Sequence, residues 1–118
     1  TVVVVDDDSS VHQIWAGRFE SGTKDGHVEV KHLSTPSLFS EWYRTSRNPD
    51  AKYLYLFDYE FLGISKNGID LIREFGLQED SILVTSRYEE QHVIEVCTRM
   101  KIGLLPKGQA GFIPIDTV

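Results

Sequence analysis

The sequence is poor in cysteine and basic residues and has no long apolar run, and each shortage closes off a class of protein. A single cysteine, Cys97, has no internal partner for a disulfide, which excludes a cross-linked secreted scaffold and points to a reducing, cytoplasmic setting. Lysine and arginine number 12 against 18 acids, a formal charge of −6, so the domain lacks the basic face that non-specific binding to nucleic acid needs. No apolar run approaches the roughly 20 residues that span a membrane, so no membrane contact is expected. The opening Thr1-Val2-Val3-Val4-Val5 lacks a basic flank and runs into acids. It reads as a strand entered almost at once rather than a signal peptide, as expected of a piece of a longer protein.

What is present is a series of short apolar runs alternating with longer amphipathic ones. Hydrophobic residues make up 41% and charged residues 25%, the balance of one globular domain covering residues 1–118. Val2 to Val5 is a continuous β-branched run, as in a strand covered on both faces. Ser9 or Ser10 is placed to cap a helix whose apolar positions Val11, Ile14, Trp15 and Phe19 follow a 3.6-residue period. Gly22 and Asp25-Gly26 break the chain after it. His27 to Leu33 alternates and reads as a second, peripheral strand. Pro36 opens a second helix carrying Leu38, Phe39, Trp42 and Tyr43 on one side.

Asn48-Pro49-Asp50 is a turn, and Tyr53 to Phe57 is a third strand that stops at Asp58. A loop containing Gly63 and Asn67-Gly68 leads to a short helix with Ile69, Ile72 and Phe75, ended by Gly76. Ile82-Leu83-Val84 is a fourth strand reaching Thr85-Ser86. Val93, Ile94, Val96, Cys97 and Met100 mark a fourth helix, and Ile102 to Leu105 a fifth strand ending at Pro106-Lys107. Five strands alternating with four helices predict right-handed βαβ units and an α/β fold with a doubly wound parallel sheet. Pro114 disfavours a regular helix across Gly108 to Val118, so a fifth helix is expected to be reduced or replaced.

The unusual polar residues fall at the carboxyl ends of these strands. Asp6, Asp7 and Asp8 follow the first, Asp58 the third, Thr85 and Ser86 the fourth, Lys107 the fifth. In doubly wound sheets that edge binds ligands, and the order 2-1-3-4-5 has its switch point between strands 1 and 3. The Asp6/Asp7 pair then lies beside Asp58. Gathered carboxylates repel, so at neutral pH they need protons or a cation. Oxygen-only ligands in an open site suit Mg²⁺ and leave room for a phosphate. A lysine and a hydroxyl from neighbouring strands can neutralise and hydrogen-bond phosphoryl oxygens. Singly these residues have plainer readings: acids favour a helix's first turn, a lone aspartate can cap a strand end, and a lone lysine is most often a surface charge. Only the combination favours a site. If the register slips by one, Ser86 replaces Thr85.

Val5-Asp6-Asp7, the strand-ending Asp58 with Gly63 and Asn67-Gly68 behind it, Val84-Thr85 and Pro106-Lys107 resemble the signature of receiver (response-regulator) domains of two-component signalling. The resemblance covers essentially the whole chain up to Lys107. It implies a flavodoxin-like five-stranded sheet in the order 2-1-3-4-5 and a phosphoacceptor role in a phosphorelay. Asp58 would take a phosphoryl group from the phosphohistidine of a histidine kinase or phosphotransfer domain. Asp7 and Asp58 would bind Mg²⁺ directly with the backbone carbonyl of Glu60, while Asp6 would act largely through a bound water. Thr85 would move toward the phosphoryl group, and Lys107 would pair with its oxygens. Nothing in 118 residues resembles an ATP-binding kinase core, so acceptance and slow hydrolysis are the only chemistry implied.

The chain also departs from that pattern. Leu62 stands where receivers usually carry proline, the loop before Asn67-Gly68 is longer than usual, and Gly108 replaces the proline that normally follows the lysine. Leu104 occupies a position where many receivers place tyrosine or phenylalanine. With Trp15 and the tail, these features resemble the atypical receivers at the C-terminus of hybrid sensor histidine kinases, which leaves a membrane-associated parent open. The alternative is a pseudo-receiver, a protein-interaction module of the same fold that is never phosphorylated. A small Mg²⁺ phosphatase is disfavoured because Asp58-Tyr59-Glu60 is not an Asp-x-Asp motif. A flavodoxin is disfavoured because no phosphate-cradling loop follows the first strand. Glu60 and Arg87 are expected to form a partly exposed ion pair over the site. His12 and His92 read as solitary surface residues, His27 and His32 as lying on opposite faces of a strand, and none suggests a metal site. Cys97 reads as buried and inert, and Trp15, Phe39, Trp42 and Tyr43 as core.

Overall fold

The apolar runs form five parallel strands of one sheet, in the order β2-β1-β3-β4-β5, in a computed structural model that describes residues 1–22 and 29–112. The strands are β1 (Val2–Val5), β2 (Val30–Leu33), β3 (Leu54–Phe57), β4 (Ser81–Thr85) and β5 (Gly103–Pro106). The helices are α1 (Ser9–Gly22), α2 (Pro36–Thr45), α3 (Gly68–Phe75) and α4 (Gln91–Met100). This is the doubly wound, flavodoxin-like sheet expected from the alternation of periods. None of the helices among the described residues is long and apolar enough to cross a membrane.

All four valines of β1 are buried because successive side chains of a strand point to opposite faces and both faces are covered. Val3 and Val5 join a core cluster with Phe39, Phe57, Ile72 and Leu83. Val2 and Val4 join a second cluster with Trp15, Phe19 and Leu56. Trp42 and Tyr43 are partly buried against the first cluster. Phe39 touches the rings of Tyr55, Phe57 and Phe75 edge-on, the arrangement aromatic quadrupoles favour. Cys97 is buried, and that burial pushes its thiol pKa up, away from reactivity. Strand β2 lies at the sheet edge and exposes Lys31 and His32.

Local chemistry sets the helix ends. Thr35 caps α2, its hydroxyl accepting from Leu38 N at 3.1 Å, with Pro36 in the first turn, where its missing N–H goes unneeded. Asn67 and Asp70 form a reciprocal capping box on α3, and Gly76 ends that helix at φ 68°, a left-handed conformation glycine adopts without strain. The start of α1 differs from expectation. Its cap is neither Ser9 nor Ser10 but Asp8, whose Oδ1 accepts from Ser10 N at 2.9 Å and from Ser10 Oγ at 2.7 Å. A carboxylate is the stronger acceptor for the helix's orphan amides.

The second strand is shorter than the alternation suggested, beginning at Val30; His27 and the Asp25-Gly26 break lie outside the described residues. The third begins at Leu54 rather than Tyr53. After β5 the chain makes a 3₁₀ turn over Lys107–Phe112 in place of a regular α-helix at that point. Pro114 and the rest of the tail lie outside the described residues.

Candidate functional site

Strand register carries two carboxylates to adjacent places. Val5 of β1 sits opposite Phe57 of β3, and the ladder continues one residue further, with Asp58 N donating to Val5 O at 2.9 Å and Asp6 N to Leu33 O at 3.1 Å. Asp6 and Asp58 therefore leave the sheet side by side at its carboxyl edge, both buried. Asp7, exposed at the turn into α1, completes a group in which one oxygen from each carboxylate lies within 4.8 Å of the others. From the far side, Lys107 Nζ lies 3.1 Å from Asp6 Oδ2 and 3.2 Å from Asp58 Oδ2. β4 and β5 bring Thr85 opposite Pro106, so Thr85 and Lys107 approach the acids together.

These groups share a cleft of about 330 Å³ whose walls include Asp7, Asp58, Glu60, Thr85, Arg87 and Lys107. Thr85 is buried, with Oγ1 accepting from Arg87 N at 3.0 Å; Ser86 is exposed and lines the same cleft. Arg87 bridges Glu60 and Glu90 across the mouth, which is the ion pair anticipated from sequence, extended to a third member. Every candidate site residue read from the sequence lies at this one place.

The electrostatics follow from crowding and burial. Burial is the main force raising the Asp58 carboxyl from 3.8 to about 6, and the neighbouring Asp6 charge adds to it; Lys107 and the Tyr59 N–H pull the other way. The Asp6 carboxyl is also raised, first by burial, against the Asp8 N–H and Lys107. Burial works to lower the Lys107 ammonium, but the charges of Asp58 and Asp6 outweigh it and the net shift is upward. Lys107 is thus a fixed cation, while Asp58 remains mostly ionised at pH 7. Asp6 Oδ2 is buried and, despite its nearness to Lys107, accepts no hydrogen bond. Asp6, Asp7 and Asp58 offer only oxygen ligands within reach of one another, a donor set that fits a hard divalent cation.

Three features of the site were not readable as such. Gly68 opens α3 against the Asp58 backbone, and a Cβ there would collide with the Asp58 carbonyl oxygen. Asn67-Gly68 was read as the end of the loop leading into the helix, but only the packing of α3 on β3 makes the missing side chain necessary. Phe61 to Ile64 forms a tight turn, Ile64 N donating to Phe61 O at 3.1 Å with Gly63 at φ 74°. It is tied to the site by Leu62 N, which donates to Asp7 Oδ2 at 2.9 Å, and it leaves Leu62 83% exposed at the rim. The third is a correction: His12 is not solitary. Its Nε2 lies 2.6 Å from Asp6 O and its Nδ1 2.7 Å from His32 Nδ1, because α1 crosses the sheet edge where β2 ends. His92 is exposed. No cis peptide occurs among the described residues.

No family model and no curated protein matches the sequence, but solved structures do match the fold. The Francisella response regulator 1452 receiver domain is 17% identical, with a TM-score of 0.66 over 91% of this chain and 83% of that one. The response regulator StyR is 24% identical, with a TM-score of 0.67 over 98% of this chain. RcsB, a response regulator of Salmonella typhimurium, is 19% identical, with a TM-score of 0.69 over 94% of this chain. The chain spans 57% of the StyR chain and 53% of the RcsB chain. The class is therefore a doubly wound α/β domain with an acidic switch-point cleft. Its fold is that of response-regulator receiver domains.

Proposed function

We propose that this domain is a phosphoacceptor module of two-component signalling, in which Asp58 takes a phosphoryl group from the phosphohistidine of a kinase or phosphotransfer partner. The observation that carries this reading is the convergence of Asp7, Asp58, Thr85 and Lys107 in one cleft at the switch point, with Asp6 buried beside Asp58 and paired to Lys107. A carboxylate oxygen of Asp58 attacks phosphorus, the new O–P bond forms as the P–N bond breaks, and the departing imidazole takes up a proton. With its carboxyl at about 6, Asp58 is ionised and nucleophilic at neutral pH. Asp7 and Asp58, with the Glu60 carbonyl, would hold Mg²⁺ directly, and Asp6 would hold it through water. Mg²⁺ there supplies charge neutralisation for the acids and the incoming phosphoryl oxygens. Lys107 pairs with those oxygens after exchanging its present contact with Asp58, and Thr85 donates its hydroxyl to them, releasing Arg87 N.

That exchange gives a local change with a route outward, since Arg87 links the loop after β3 to the start of α4. The partner is a histidine kinase or phosphotransfer domain, in cis if the parent is a hybrid kinase, and the setting is cytoplasmic. Acetyl phosphate or beryllofluoride with Mg²⁺ is expected to modify or bind the wild type and leave Asp58→Asn untouched, as read by intact mass and ¹⁹F NMR. No signal from the wild type refutes the reading.

A pseudo-receiver is the competing function, favoured by Leu62 and by Lys107-Gly108 in place of the usual prolines. It predicts no response of the cleft resonances to Mg²⁺, whereas a phosphoacceptor shows saturable shifts at Asp7 and Asp58.

A further inference from the structure

Outside the acid cluster, two imidazoles from different elements meet end to end. His12 Nδ1 on α1 lies 2.7 Å from His32 Nδ1 on β2, with ring centroids 4.9 Å apart and planes at 72°. His12 Nε2 lies 2.6 Å from the Asp6 carbonyl oxygen. A carbonyl only accepts, so His12 Nε2 carries the hydrogen, and in the neutral ring Nδ1 keeps its lone pair. His32 Nδ1 is then the donor of the contact. A histidine oriented by a backbone carbonyl on its far nitrogen is the arrangement that sets the tautomer and aim of metal-ligating imidazoles. His12 is half-buried and held, while His32 is exposed on the open sheet edge and can turn about its side chain.

Two nitrogens each about 2.0–2.1 Å from one ion stand roughly 2.8–3.4 Å apart in octahedral to tetrahedral geometry. A separation of a few tenths of an ångström and a turn of the His32 ring convert the shared-hydrogen contact into a chelate. The His32 proton moves from Nδ1 to Nε2 through solvent, so the imidazole stays neutral throughout. Asp8, one helical turn before His12, adds negative charge beside the pair. We propose that His12 and His32 form a two-imidazole site for a borderline divalent transition ion of the zinc class, with water completing its coordination. The nitrogen donors separate it chemically from the oxygen-only cleft, which suits a hard ion.

The test is a Zn²⁺ titration of the full chain in saturating Mg²⁺, followed by long-range ¹H–¹⁵N spectra of the imidazoles. The ring nitrogens of His12 and His32 are expected to shift together and saturate while those of His92 stay. His32→Gln weakens Zn²⁺ binding at least about tenfold, His12→Gln does the same, and Asp58→Asn leaves it unchanged. His12→Gln also cuts the Asp6 contact and can unfold the chain, so His32→Gln, altered at an exposed position, carries the test on its own. Imidazoles that do not move at millimolar Zn²⁺ overturn the proposal. So does Zn²⁺ binding that survives His32→Gln, or that disappears in Asp58→Asn.

Discussion

Replacing Asp58 with asparagine removes a charge that the fold holds against water's preference, and the consequence for stability can be worked out. Burial first, and Asp6 second, raise its carboxyl from 3.8 to about 6, which corresponds to about 3 kcal/mol of disfavoured ionisation in the folded state. Between those two values the native chain keeps a proton that the unfolded chain has released. Stability therefore falls as pH rises through that window and stays lower above it. Asparagine resembles the protonated acid and escapes this loss. The pull of Lys107 on the charged form is already contained in that net shift, so about 3 kcal/mol is the upper bound on what the variant gains.

In EDTA, Asp58→Asn is expected to be more stable than the wild type by about 1–3 kcal/mol above about pH 7, and equal to it near pH 4. Urea unfolding followed by tryptophan fluorescence measures this, provided the m-values of the two proteins agree. Adding Mg²⁺ narrows or reverses the order, because a ligand at a hundredfold its Kd stabilises the wild type by about 2.7 kcal/mol and the variant by less. Equal stabilities across the pH range, or a difference that grows toward acid, refute the electrostatic reasoning.

Lys107→Met leaves Asp6 and Asp58 without their cation, so the Asp58 carboxyl moves further up, as an NMR titration reads. Stability above about pH 6 drops by about 1–3 kcal/mol, with little change near pH 4. Gly68→Ala forces a Cβ into the Asp58 carbonyl and is expected to destabilise by about 1–3 kcal/mol and to slow acetyl phosphate labelling in the fraction that remains folded. Glu60→Ala and Arg87→Ala open the bridge over the cleft while leaving the melting temperature in place, since both side chains are largely exposed. Each is expected to let water reach the phosphoryl group and so shorten the phosphoaspartate lifetime measured by loss of label; an unchanged lifetime means that the bridge does not slow hydrolysis.

Much of the fold was legible because the two periods are local properties of the chain. The valine run at 2–5, the apolar 54–57 and the amphipathic spacing of Leu38, Phe39, Trp42 and Tyr43 specify strand or helix without knowledge of their neighbours. The order of elements then leaves few topologies once crossovers must be right-handed. The candidate site was legible for the same reason: an acid, hydroxyl or lysine directly after an apolar strand can only end at the sheet's carboxyl edge. The N-cap of α1 was misread because Asp8, Ser9 and Ser10 are all capping residues, and only the backbone's path decides which one is half inside the helix.

Residue order determined the strands, the helices and the edge on which Asp6, Asp7, Asp58, Thr85 and Lys107 stand. Tertiary structure alone decided how far burial lifts the Asp58 carboxyl, that Lys107 pairs with two acids at once, that Gly68 must lack a side chain, and that His12 meets His32. Each of these depends on a distance between residues far apart along the chain. Hydrophobic periodicity says which face of an element turns inward; it carries no information about what that face will meet.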